Sequence, residues 1–241
     1  MAQTRPLIVD IHTHVYTPLL MEILRSRTAV PYIRSFPPDT SDHLIILPGE
    51  DSPDTPATSQ GRPIGPEYYD ISKKIEFMDI HGIDISVISL ANPWLDFLPA
   101  DDALKMTQQV NDELNDLCAR YPGRLFAFGA LPMSASVAEV VQEVERLAKM
   151  RYIRGVIMGT SGLGDGLDDP RLDQVWEALQ ETRQTLFLHP HYGLPKEVYG
   201  SRQDNYGHAL ALAMGFVCVS ILAFRTCELT WEAHGNDDCS V

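Results

Sequence analysis

The string Val9-Asp10-Ile11-His12-Thr13-His14 is an apolar run that closes on a His-x-His pair. Apolar β-branched residues favour an extended backbone, and side chains two apart on a strand share a face. His12 and His14 therefore point together at a strand end, where two neutral imidazoles make a normal opening for a zinc site. The spacing fits a plain pair of hydrogen-bonded histidines equally well, and spacing alone leaves both readings open.

A second apolar run ends the same way, at Leu186-Phe187-Leu188-His189-Pro190-His191. Between the two lie further apolar β-rich runs, Ile83 to Leu90, Leu125 to Leu131 and Ile153 to Met158. Segments of helical period alternate with them, at Ser72 to His81, Asp102 to Tyr121, Ser136 to Lys149 and Arg171 to Thr182. Strand and helix in alternation mean parallel strands joined by crossover helices. In a parallel barrel all strands end on one face, where barrel active sites are built. His189 would then join His12 and His14 as a third ligand, unless it merely caps a core strand. Pro190 interrupts strand geometry and leaves His191 as a neighbour of the ligands or a substrate contact. The stretch from about Pro37 to Pro66, rich in Pro, Gly, Ser and Asp, reads as a long irregular insertion.

Composition narrows the function. The chain has 241 residues, 33 acidic against 19 basic, and a formal net charge of −14. Such a charge repels nucleic acid and anionic membrane, so a small-molecule substrate is expected. No run approaches the roughly 20 apolar residues of a membrane span, and no basic region precedes an apolar stretch at the N-terminus. A cytoplasmic location follows as an expectation. Four cysteines without a C-x-x-C pair make neither a disulfide scaffold nor a cysteine metal site.

The strings VDIHTH, IEFMDIHGIDISVISLANP, GRLFAFGALP, RGVIMGTSGLGDGLDDP and LFLHPHYGLP, in that order, resemble the amidohydrolase-related decarboxylases, the aminocarboxymuconate-semialdehyde decarboxylase-like group. Within it the isoorotate (uracil-5-carboxylate) and 6-methylsalicylate decarboxylases are most similar. The resemblance runs from Leu7 to Phe216. It implies an α/β fold, a TIM-type (β/α)₈ barrel of the metal-dependent hydrolase superfamily, of which about five of eight βα units are present. It also implies one divalent metal, usually zinc, held by His12, His14 and His189, and non-oxidative loss of CO₂ from an aromatic or pyrimidine carboxylate. Arg62, in Gly61-Arg62-Pro63, matches an arginine that grips the substrate carboxylate, and its planar fork suits that task. Asn92, in Ala91-Asn92-Pro93, matches a substrate-contacting asparagine. Read without the resemblance, Arg62 is a solvated loop charge and Asn92 a turn residue. Trp94 and Phe97 read as packing, with a stacking wall for a planar ring as the alternative. Such enzymes commonly form homodimers.

The resemblance stops after Phe216. The family's proton-donating aspartate near the eighth strand and its histidine after the sixth have no counterpart here, so no catalytic acid is assigned and the chain is expected to be inactive as written. Residues 1–216 are accordingly expected to form the N-terminal part of the barrel domain and 217–241 an aberrant, truncated tail. Val217-Cys218 can be encoded by GTATGT, a splice-donor sequence, and the codons for His234 to Val241, read one base out of frame, can spell Met-Glu-Thr-Thr-Thr-Ala-Val, the family's continuation. A retained intron would explain both. The competing functions are a metal-dependent hydrolase of the same superfamily and an inert splice isoform. Such hydrolases more often carry a lysine on the fourth strand, and Tyr152 to Met158 contains none.

Overall fold

Apolar runs too short to bury themselves become strands when crossover helices return the chain to the same sheet edge. A computed structural model describes residues 5–36, 41–54, 60–92 and 94–189 of the chain. In chain order the elements are β1 (Val9–Val15), α1 (Pro18–Ser26), β2 (Tyr32–Ser35), β3 (Asp42–Ile45), β4 (Arg62–Ile64), α2 (Pro66–Tyr69), α3 (Ile71–His81), β5 (Ile85–Leu90), α4 (Ala100–Ala119), β6 (Leu125–Ala130), α5 (Val137–Leu147), β7 (Ile153–Gly159), a 3₁₀ turn (Pro170–Leu172), α6 (Asp173–Thr182) and β8 (Thr185–His189). The main sheet runs β1-β5-β6-β7-β8, every pair parallel.

β1 and β8 form the two edges of that sheet, with three strands between them. At a strand spacing of about 4.8 Å, a flat sheet would hold its edges about 19 Å apart. The ring of His12 on β1 nevertheless lies 5.3 Å from the ring of His189 on β8, centre to centre. Two imidazoles cannot span the flat distance, so the sheet is curled toward the face that carries them. The described residues thus form a curled half-barrel of the (β/α) type, with the five parallel strands that the sequence pattern predicts. The expected boundary at Phe216, the tail from Val217 and His191 lie outside the described residues. Among the described residues, no helix is long and apolar enough to cross a membrane.

Helix starts follow their caps. Ser136 and Glu139 make a reciprocal capping box ahead of α5, and the Asp70 side chain accepts from Ser72 N–H at the start of α3. Behind β6, the buried Asn111 of α4 holds Ala130 by both backbone groups, receiving its N–H and donating to its carbonyl, each at 2.9 Å. The same amide donates to Glu143 of α5 at 2.7 Å, and Arg146 neutralises that fully buried carboxylate at 2.8 Å. A buried charge survives only when paired and hydrogen-bonded, and this one ties two helices to the C-terminal end of β6.

Two expectations need correction. The sequence reading places no element between the opening His-x-His run and Ser72, yet α1 forms there. Pro18 opens it, Thr17 caps it by accepting from Leu20 N–H, and Leu20, Met21 and Leu24 are buried. The stretch from Pro37 to Pro66, read as irregular, contains β3 and β4, which join β2 in a three-stranded antiparallel sheet. Strands of three and four residues are too short to display a period, and Pro63 argues against strand by composition. β4 tolerates Pro63 because it is an edge strand, pairing only with β3 in that sheet. Ile33, Leu44, Ile45 and Ile64 are nevertheless buried, which is what holds the small sheet.

Gly61 leads into β4 at φ +68°, and a Cβ there would lie 2.8 Å from the Leu44 carbonyl oxygen and 2.6 Å from Ile45 Cδ1. Gly82, the left-handed cap of α3 at φ +66°, has open space around it. Both would suffer the left-handed penalty of about 1–2 kcal/mol on gaining a side chain, but only Gly61 adds a collision with backbone. Gly61→Ala is expected to lower the urea midpoint clearly more than Gly82→Ala; equal shifts would show that the approach of β3 to Gly61 is not constrained.

Candidate metal centre

His12 and His14 leave the C-terminal half of β1, and His189 is the last residue of β8. Because the strands are parallel and the sheet curls, the three rings meet at one mouth. Ring centres lie 5.1 Å apart for His12 and His14, 5.3 Å for His12 and His189, and 5.1 Å for His14 and His189. One nitrogen from each ring can be chosen so that all three lie within 4.8 Å of one another. His12 is exposed, His14 half-buried and His189 only 7% exposed.

The electrostatics favour an uncharged His14 ring. His14 is pushed down from 6.5 to about 3, first by burial and then by His189 and His12 beside it. A proton on His14 would be a desolvated charge next to two groups of the same potential sign. The ring therefore stays neutral with a lone pair to offer, the form a cation needs. Its Nδ1 lies 2.9 Å from Ser89 Oγ on the adjacent strand, where His14 and Ser89 are register partners. That bond anchors the ring by one nitrogen and leaves the other directed away from β5.

Aromatic edges surround the triad. Phe187 lies 5.2 Å from His12 and 5.7 Å from His189, centre to centre, and Trp94, 3% exposed, is edge-on to His189 at 5.3 Å. Trp94 is therefore a neighbour of the triad as well as a core residue. Phe97 is engaged elsewhere, beneath the Arg27 guanidinium at 4.4 Å. Asn92, 6% exposed, follows the end of β5, and its carbonyl accepts from the Tyr16 hydroxyl at 3.1 Å. It stands at the same strand ends as the histidines. Arg62 is not on a barrel strand: it pairs with Leu44 in the small sheet and is half-buried, with Nε and Nη2 shielded from solvent.

Sequence reasoning passed over Ser89 and Phe187. Phe187 was recoverable, being two residues before His189 on one strand. Ser89 was signalled by its polarity inside the buried run Ile85–Leu90, but its partner depends on a register that the sequence does not display.

Residues 9–215 match the profile of the family described as Amidohydrolase. The chain is 30% identical over 131 residues to gamma-resorcylate decarboxylase of Rhizobium radiobacter, covering 52% of this chain and 40% of that protein. The crystal structure of Metarhizium anisopliae IDCase superposes with a TM-score of 0.88 at 47% identity, covering 95% of this chain and 62% of that one. A dihydroxybenzoic acid decarboxylase from Polaromonas sp. JS666, solved with bound manganese, shares the fold at a TM-score of 0.58 and 20% identity over 88% of this chain and 57% of that one. The chain thus spans about 40% of the curated relative's length.

The depressed His14 value predicts the pH response of the metal-free protein. The folded value of about 3 lies below the ordinary 6.5, so protonation favours unfolding. Its stabilising contribution is complete above pH 6.5 and lost as pH falls toward 3, by at most about 1.4 kcal/mol per pH unit. Urea midpoints recorded between pH 6.5 and 4.5 should fall less steeply in His14→Asn than in the unaltered protein. Parallel slopes would mean that His14 already titrates normally in the fold.

Proposed function

Because the chain belongs to the amidohydrolase family, we propose that His12, His14 and His189 hold one divalent cation, zinc foremost, for decarboxylation of an aromatic or pyrimidine carboxylate. The observation that carries this reading is the convergence of three imidazoles from opposite edges of the sheet, with ligand atoms within 4.8 Å of one another. Three imidazole nitrogens are a donor set that would suit zinc. Manganese, bound in the Polaromonas relative, is the second cation to test. When bound, such a cation would offset the negative charge that the substrate brings and develops.

The chain's own residues divide the remaining work. Arg62 pairs bidentately with the carboxylate, a role that suits a guanidinium whose Nε and Nη2 are already withdrawn from water. Asn92 contacts the ring from the end of β5. Trp94 and Phe187 present apolar edges beside the triad and keep water from part of the mouth. Loss of CO₂ requires a proton at the ring carbon as the electron pair of the C–CO₂ bond returns to the ring. We assign that proton to none of the triad, since its histidines are spent on the cation. The similarity to decarboxylases of ring carboxylates supports this reading over hydrolysis.

Binding and turnover are separable in the test. Zinc titrated into the apo-protein should saturate at one per chain, and His189→Ala should abolish it. The zinc-loaded protein should then bind 5-carboxyuracil or 6-methylsalicylate, and Arg62→Ala should weaken that binding by about 10-fold or more, as loss of a charge-assisted pair does. CO₂ release is followed in the same samples. Hydrolysis of a lactone and amide panel with no response to any carboxylate would overturn the proposal.

A further inference from the structure

The histidines of β1 do not reach the triad by simple alternation. Asp10 pairs with Ser86 and Thr13 with Ile88, so three steps along β1 match two along β5. β1 therefore carries one extra residue, a β-bulge at Ile11 or His12. Ser86 and Ser89 stand three apart on β5, whose register with β6 is regular, so they face opposite sides. Ser89 meets the His14 ring on the inner face. Asp10, the partner of Ser86, therefore belongs to the outer face. Unbroken alternation would have placed Asp10, His12 and His14 on one side, with a carboxylate among the imidazoles; the extra residue sends it behind the sheet.

What waits there is Lys74 of α3. Its ammonium donates to Thr13 Oγ1, the side chain between the two histidines. It is half-buried, and burial lowers its pKa against the opposing pull of the Asp10 and Glu67 carboxylates. Asp10 Oδ1 in turn accepts the His12 N–H at 3.0 Å. An extra residue in a bulged strand loses its place in the ladder, and its N–H needs another acceptor. Asp10 supplies one at His12 itself.

We propose that Asp10 and Lys74 are positioning residues, an outer clamp that fixes the bulge of β1 and thereby sets how far His12 reaches into the triad. The inference rests on the reading of the triad as a metal centre. His12 needs such a device more than its partners do. It is the exposed member of the three, with Phe187 edge-on at 5.2 Å, whereas His14 is anchored by Ser89 and the buried His189 has Trp94 as well as Phe187 beside it. Where packing leaves a ring exposed, its backbone has to help fix it, and a ligand displaced by about 0.5 Å already compromises a site. Lys74 adds a second hold on the same stretch of β1, through Thr13 Oγ1 one residue beyond His12.

The test compares Asp10→Ala, Asp10→Asn, Lys74→Met and the control Lys73→Met, whose parent lysine pairs with Glu76 on the solvent side of α3. Zinc affinity is read by chelator competition, the ligand field by the visible absorption of the cobalt-substituted protein, and folding by the melting temperature without metal. Asp10→Ala and Lys74→Met should weaken zinc binding about 10–100-fold, the usual cost of losing a group that orients a ligand, and alter the cobalt spectrum. Asp10→Asn keeps an Oδ1 acceptor and should recover most of the affinity, while Lys73→Met should match the unaltered protein. Should Asp10→Ala lower the melting temperature, the comparison of Asp10→Asn with Lys74→Met decides. Unchanged affinity and spectrum in Lys74→Met, against an unaltered protein that binds zinc, overturns the clamp alone. An unaltered protein that binds no zinc overturns the metal reading beneath it.

Discussion

A parallel sheet brings its two edge strands together only by bending, and His12 and His189 stand on those edges. Bending is sustained from outside: α4, α5 and α6 return between consecutive strands, and buried Leu114, Val140, Val144 and Leu179 line that layer. If the curl relaxed, the triad would separate long before any strand unpaired, because ring contacts near 5 Å depend on the sum of every inter-strand rotation. The Asn111 bonds to Ala130 therefore matter beyond their own energy. They lock a central strand to the helix layer at the end where the histidines lie.

Much of this was legible because it rests on period and chain direction. An apolar run ending in histidine, twice, in a chain that alternates strand and helix, already places His12, His14 and His189 at strand ends on one side of a parallel sheet. The small antiparallel sheet was hidden for the opposite reason. Its strands are held by the burial of Leu44, Ile45 and Ile64 over three or four residues, too few for a pattern, in a segment whose Pro and Gly content signals loop. Arg62 shows the cost. Composition makes it a solvated loop charge, whereas the fold seats it on a strand with half its guanidinium withdrawn from water. The bulge in β1 was invisible altogether, since Val-Asp-Ile-His-Thr-His satisfies simple alternation as a string. Only pairing with β5 reveals the extra residue.

The excursion between β1 and α3 is fastened to the barrel at several separate points, and their character decides how firmly. Leu19 N–H donates to Glu113 of α4 at 3.0 Å, and Arg27 lies over Phe97 in the loop after β5. Within the excursion the Arg25 to Asp42 pair joins α1 to β3, but it is exposed and contributes within the roughly 0–1 kcal/mol of surface ion pairs. The apolar contacts of Leu20, Leu24, Ile33 and Leu44, all buried in one core with the barrel strands, carry far more. The small sheet thus shares the barrel's core, and Arg62 is placed by a different sheet from the one that places the histidines. Under the proposed function this separates two tasks. Substitutions on β3 or β4 that keep the core would move the arginine and alter which carboxylate is accepted, while the imidazole triad, held by the curl of a different sheet, would keep its geometry.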